Sequence, residues 1–257
     1  MAPQDEVRRL AEDGWCVIPG VLSPAEADAV RARLWAAAEE SERRGAATRN
    51  IGLDPNRHNV RVFNLIDLDP VFIELIQHPL AIAMVESLLG ADVLVSNFTA
   101  NIALPGSGSM ELHSDQSIVV PQPWFAPWSI NIIWCLNDVR EANGATRYLP
   151  GSHRFRTADE VPADALAHMR PFEAPIGSII AMDGRLWHTS GANVTADEER
   201  ALLFGYYSRA FLRPQQNWNA ALSPDTIAGL SPAMRAWLGL EATANVGLAA
   251  PLVVHLA

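Results

Sequence analysis

The chain of 257 residues contains no lysine, so arginine supplies all 19 basic side chains against 29 acidic ones and leaves a formal net charge of −10. No run of basic residues forms a stripe, and affinity for nucleic acid rests mainly on cationic contacts to phosphate, so a nucleic-acid partner is not expected. Cysteine is almost as scarce. Cys16 and Cys135 stand far apart in apolar stretches, which excludes a disulfide framework and fits free thiols packed as small hydrophobes in a reducing compartment. No apolar run reaches the length of a membrane span, and Met1 to Glu6 has neither the basic start nor the apolar centre of a secretory signal. The expectation is a soluble cytoplasmic protein without membrane attachment. Common catalytic signatures are missing too. Gly106-Ser107-Gly108 is followed by no Gly-Lys-Ser/Thr, and there is no His-Glu-x-x-His helix and no Gly-x-Ser-x-Gly elbow.

What is present reads as one globular unit. Hydrophobic residues make up 49% and charged residues 19%, no linker or repeat interrupts the chain, and a single domain over residues 1–257 is expected. Residues up to about 92 read as a helical layer. Ser23-Pro24-Ala25-Glu26 combines a capping serine, a first-turn proline and a third-position glutamate, which predicts a helix running to about Arg44. Shorter helices are predicted at Asp5 to Asp13, Pro70 to Ile76 and Leu80 to Leu89, with strands at Trp15 to Ile18 and Asn59 to Asn64. From Val93 to about residue 213 the pattern turns to short strands, at Val93 to Leu104, around His113, Ser129 to Leu136, Thr146 to Leu149, Ser178 to Met182 and Ala201 to Ser208. Loop and short helices follow, with Ser231-Pro232 a capped start. Short strands behind a helical layer predict a mainly β protein with flanking helices, its core a two-sheet jelly roll.

Two segments carry the chemistry: His113-Ser114-Asp115 and Trp187-His188-Thr189-Ser190-Gly191, with Arg200 twelve residues beyond the second histidine. Residues i and i+2 of an extended strand face the same way, so His113 and Asp115 supply two ligands without bending the backbone. His188 follows a buried apolar run and brings a third from another strand. Two histidines and one carboxylate, with other positions open, form the ligand set of non-haem Fe(II) oxygenases. The planar fork of Arg200 suits the distal carboxylate of a 2-oxoglutarate cosubstrate. The same three ligands also suit a catalytic zinc, so a zinc hydrolase stays open at this point, as does a non-catalytic jelly-roll binding protein.

The chain resembles the phytanoyl-CoA dioxygenase family of Fe(II)/2-oxoglutarate oxygenases. The matching pieces are Asp13-Gly14-Trp15 with Val17 to Ser23, Leu112 to Gln116, Asn143-Gly144-Ala145-Thr146-Arg147-Tyr148-Leu149-Pro150-Gly151-Ser152-His153, and His188 to Asn193 leading to Arg200. The resemblance implies a cupin-like double-stranded β-helix with His113, Asp115 and His188 as iron ligands and Arg200 as the cosubstrate anchor. It also implies that Thr146, Ser190, Trp134 and Arg61 line the cosubstrate pocket. Met110 stands where relatives often carry glutamine, which removes one polar contact to the cosubstrate. The implied reaction consumes O2 and 2-oxoglutarate, releases succinate and CO2, and by default hydroxylates an unactivated C–H bond; desaturation, epoxidation and rearrangement use the same ligands. Because halogenases of similar sequence leave the carboxylate position small, Asp115 speaks against halogenation.

Trp124, Phe125 and Trp128 lie in a proline-rich stretch between the ligands and the next strand, and are read as an aromatic lid over an apolar substrate. With the absence of a basic mouth, this favours a mainly apolar small metabolite, such as a terpenoid, polyketide or amino-acid-derived product of secondary metabolism, over a CoA thioester. His153 is read as a structural hydrogen-bonding residue, and His58, His78, His168 and His255 as surface or packing residues.

Overall fold

The computed structural model of the protein describes residues 2–240. Nine strands form two antiparallel sheets. They are β1 (Trp15–Ile18), β2 (Asn59–Val62), β3 (Val93–Ala103), β4 (Ser129–Cys135), β5 (Arg147–Tyr148), β6 (Arg170–Pro171), β7 (Ile179–Asp183), β8 (His188–Thr189) and β9 (Arg200–Arg209). The large sheet runs β1-β7-β4-β9-β3-β2 and the small one β6-β5-β8. The N-terminal third thus supplies both edge strands of the large sheet.

The helices are α1 (Gln4–Asp13), α2 (Pro24–Arg43), α3 (Pro70–Ile76), α4 (Pro79–Leu89), α5 (Trp218–Ala221), α6 (Pro224–Gly229) and α7 (Pro232–Trp237). The capping signals work as predicted at α2: Ser23 Oγ accepts from the Glu26 amide at 3.3 Å while the Glu26 carboxylate accepts from the Ser23 amide at 2.7 Å. Asp69 caps α3 in the same sense, accepting from the Val71 amide at 2.8 Å. No single described helix is long and apolar enough to cross a membrane.

Helices cover the outer face of the large sheet, and the small sheet covers its inner face, so the central strands are buried on both sides. Strand parity sorts their side chains. On β4, Ile130, Ile132 and Trp134 join the cluster beneath the helices, whereas Ile133 and Cys135 join the cluster between the sheets with Tyr148, Phe172 and Met182. This arrangement is the jelly roll expected from the sequence. The predicted strand around His113 shrinks to an isolated bridge, the other strand expected to bring His188 is the two-residue β8, and β6, also two residues, went unpredicted because so short a pairing leaves no periodicity to read.

After β9 the chain returns across the end of the large sheet. The register of β3 slips between Val95 and Asn97, and the freed Ser96 receives the returning segment, its Oγ accepting from the Gln215 amide and its carbonyl from the Gln216 amide, both at 3.0 Å. Trp218 completes the seam by donating from its indole nitrogen to the Val95 carbonyl at 2.7 Å.

Candidate metal and cosubstrate site

His113 and His188 are direct partners across a bridge, each amide donating to the other's carbonyl, at 3.0 and 2.8 Å. Extended backbone at Ser114 (φ −124°, ψ 136°) carries the chain to Asp115, which opens a short 3-10 turn. The alternation expected of a strand therefore survives for the one step that matters. One ligand atom from each of His113, Asp115 and His188 lies within 4.8 Å of the others.

The imidazoles are held in one tautomer. Nδ1 of His113 lies 2.8 Å from the Glu111 carbonyl and Nδ1 of His188 lies 2.9 Å from the Leu186 carbonyl. A carbonyl only accepts, so both Nδ1 atoms carry a proton, and Nε2 is the ring nitrogen left to bind a metal. Burial lowers the pKa of His188; the Asp115 carboxylate opposes that shift and His113 adds to it. The result favours the neutral, ligating form.

Asp115 is gripped from several sides. Asn131 on β4 donates from Nδ2 to Asp115 Oδ2 at 3.1 Å, and Tyr206 on β9 donates its hydroxyl to the Asp115 carbonyl at 3.1 Å. Asn131 and Tyr206 are themselves cross-strand partners. Burial pushes the Tyr206 phenol up, so it stays a donor at neutral pH. The flanking residues hang from one point: the Gly184 carbonyl accepts from Ser114 Oγ at 2.9 Å and from the Gln116 amide at 2.7 Å. A β-carbon at Gly184 would collide with Ser129. Gly184→Ala is therefore expected to cost about 1–3 kcal/mol of stability through forced backbone movement, with weakened metal binding because both neighbours of Asp115 shift; thermal unfolding and metal titration of the variant check it.

The three ligands open onto a cavity of about 250 Å³ that Arg61, Thr146, Ser190 and Arg200 also line. Arg200, at the start of β9, is 1% exposed. Its Nε donates to the Gly144 carbonyl at 3.0 Å and its Nη1 to the Asn101 carbonyl at 3.4 Å, and it has no carboxylate partner among the described residues. Burial, with the nearby Arg61 charge, pushes its pKa down to about 10, which leaves it cationic at neutral pH. Arg61 differs: Asp54 grips it with both oxygens, Nη2 to Oδ1 at 2.6 Å and Nε to Oδ2 at 3.0 Å. Met110 lines the cavity as well, its sulfur 3.5 Å from Arg61 Nη2, and its amide donates to Ser190 Oγ at 2.9 Å.

Four expected site residues lie elsewhere. Trp134 is outside the cavity, because its parity on β4 turns it toward the helices, where it meets the edge of His78 with ring centroids 5.5 Å apart. Trp124, Phe125 and Trp128 do not line the cavity either. The Trp124 side chain is buried, with its indole donating to the Val119 carbonyl at 2.8 Å, so it staples its own loop. Phe125 is 68% exposed beneath the Arg156 guanidinium, and Trp128 meets Phe211 edge to face. Apolar walls come instead from Leu53, Phe63 and Phe204. His153 is buried, but neither ring nitrogen has a hydrogen-bond partner among the described residues, so it packs rather than bonds. His255 lies outside the described residues. Asp54, Asn131 and Tyr206 were not anticipated; an amide inside the apolar run Ile130-Asn131-Ile132-Ile133 was the available signal.

Two imidazoles and a carboxylate facing one cavity fit a ferrous ion, and the cluster includes no fourth His, Cys, Asp or Glu among the described residues, so coordination positions stay open. The phytanoyl-CoA dioxygenase family matches residues 10–201. Dioxygenase af480 of Aspergillus fumigatus is 51% identical over 93% of this chain and 77% of its own length. Among solved structures, the non-heme alpha-ketoglutarate-dependent carbocyclase SnoK from nogalamycin biosynthesis superposes with a TM-score of 0.67 at 23% identity, covering 90% of this chain and 91% of its own. HygX from Streptomyces hygroscopicus, solved with nickel and 2-oxoglutarate bound, does so with a TM-score of 0.65 at 17% identity, covering 83% of this chain and 90% of its own. At those identities the two structures establish a common fold.

Proposed function

Because the chain belongs to the phytanoyl-CoA dioxygenase family and is an Fe(II)- and 2-oxoglutarate-dependent dioxygenase, we propose that it hydroxylates an unactivated C–H bond of a neutral, mainly apolar small molecule. Succinate and CO2 are the co-products. Family membership removes the zinc-hydrolase and binding-module readings that the residues alone left open. A bound ferrous ion would supply the redox chemistry and the open positions for cosubstrate and O2.

The chain's own residues supply the rest. His113, Asp115 and His188 would hold the metal on one side, their other polar atoms fixed by Glu111, Asn131 and Leu186. Arg200 would receive the distal carboxylate of 2-oxoglutarate, with Thr146, Ser190 and Arg61 along the same wall. The observation that carries this reading is that Arg200 is a buried cation with no carboxylate partner among the described residues, in the same cavity as the three ligands. An unpaired buried charge is costly, so such a site is built for an anionic ligand.

Charge also bears on the substrate. Asp54 cancels Arg61, and a ferrous ion, Asp115, Arg200 and doubly ionised 2-oxoglutarate cancel one another. Among the described residues no cavity charge is left to balance a charged substrate, and burying one unpaired is strongly unfavourable. Long-chain acyl-CoA is therefore expected neither to perturb the loaded site nor to stimulate 2-oxoglutarate consumption, whereas a neutral, mainly apolar small molecule is expected to do both.

Anaerobic titration with Fe(II) and then 2-oxoglutarate tests the reading. The weak visible charge-transfer band of the iron–keto-acid chelate should form in the wild type and fail in His113→Ala. Folded, iron-loaded protein without the band would overturn the assignment. Once a substrate is in hand, a product gaining one oxygen atom from 18O2 is the outcome expected of hydroxylation, and a dehydrogenated or ring-closed product would replace that step.

A further inference from the structure

We propose that Asn131 is a positioning residue that holds Asp115 to one-oxygen coordination and so keeps a metal position free for O2. The inference rests on the reading of the site as an iron centre, and its observation is the contact of Asn131 Nδ2 with Asp115 Oδ2 at 3.1 Å. An ionised carboxylate only accepts hydrogen bonds, so the NH2 end of the amide must face it. Oδ2 is thereby engaged. Oδ1 is the oxygen that lies 3.8 Å from His188 Nε2, on the side where the ligands converge.

Each ligand has one atom held by the protein and one turned to the cavity. For both histidines the holding group is a backbone carbonyl, Glu111 or Leu186. For the Asp115 carboxylate it is a side chain, which makes this restraint removable by substitution. Tyr206, the cross-strand partner of Asn131, fixes the Asp115 main chain, so the loss of Asn131 frees the carboxylate without releasing the backbone that carries it.

Packing gives no reason for an amide here. Asn131 is 6% exposed on the cavity wall, and its Oδ1 has no donor among the described residues. A half-satisfied buried amide weighs against folding, so its place is explained by what Nδ2 does to Asp115. Coordination arithmetic shows the consequence. Two imidazoles and one carboxylate oxygen leave three positions on a six-coordinate metal, enough for a chelating keto acid and one more ligand. A carboxylate bound through both oxygens leaves two, which the keto acid fills.

The test compares the wild type with Asn131→Leu, of similar shape, and Asn131→Ala. Three quantities are measured: thermal unfolding of the metal-free proteins, anaerobic Fe(II) affinity, and the S = 3/2 electron paramagnetic signal that nitric oxide gives with the iron and 2-oxoglutarate complex. Asn131→Leu should unfold at or above the wild-type temperature, bind Fe(II) roughly 10–100-fold more weakly, and at saturating iron and 2-oxoglutarate lose most of the nitric oxide signal. Wild-type iron affinity and signal in both variants would overturn the proposal. So would a loss of affinity that merely tracks a lower unfolding temperature. Failure of the wild type itself to bind Fe(II) and 2-oxoglutarate would overturn the iron-site reading, and this proposal with it.

Discussion

Arg200→Leu is expected to abolish 2-oxoglutarate binding while leaving the metal-free protein at least as stable as the wild type. The guanidinium is 1% exposed and faces no carboxylate among the described residues. Its burial is therefore compensated by two backbone carbonyls and, when loaded, by the cosubstrate. Losing a buried charge pair costs about 3–5 kcal/mol, a factor of roughly 150 to 5,000 in affinity. In the metal-free protein the sign reverses, because leucine carries no charge to desolvate. Arg61 cannot take over, since Asp54 already engages it through both carboxylate oxygens. Calorimetric titration of 2-oxoglutarate into the metal-loaded variant, beside thermal unfolding without metal, measures both effects. Near-normal 2-oxoglutarate affinity would move the anchor to Arg61.

His188→Ala is expected to lower Fe(II) affinity by more than about a hundredfold and to remove hydroxylation. Loss of a partner one step behind a metal ligand typically costs 10–100-fold, and loss of the ligand itself must exceed that. The fold should persist, because the backbone pairing of residue 188 with His113 does not use the side chain. Imidazole added in solution is a useful control. His188 lines the cavity, so its loss leaves a space at the wall that free imidazole can enter, and partial recovery of iron binding would separate loss of a ligand from loss of structure. Full iron affinity without rescue would exclude His188 from the metal.

Elements defined by local chemistry were legible in the chain. Ser23 with Glu26 and Ser231 with Pro232 are start signals whose hydrogen bonds close within three residues, so neighbours in sequence suffice to form them. His113 and Asp115 were legible for the same reason, since one extended residue sets their common direction. Trp134 shows where such reading ends. Every residue of β4 is buried, so hydrophobicity does not distinguish the face under the helices from the face toward the cavity. One step of parity separates Asn131, beside the metal site, from Trp134, packed on His78. The aromatic loop misled in a related way. Proline and tryptophan together mark a shaped segment, but whether Trp124 turns into a pocket or staples its own loop depends on the distant groups it meets.

From sequence alone follow the ligand types, their order, the arginine twelve residues beyond the last of them, and the starts of the helices. These depend on side-chain identity and on contacts within a few bonds along the chain. The tertiary structure decided the pairing of His113 with His188, the isolation of Arg200 from every carboxylate among the described residues, the neutralisation of Arg61 by Asp54, and the grip of Asn131 and Tyr206 on Asp115. Each of these joins residues from different strands or loops, and their distances exist only once two sheets have closed around a common interior. Cancellation of charge in the cavity is a property of that closed assembly, because residues well separated along the chain must share one space of low polarity before their charges offset one another.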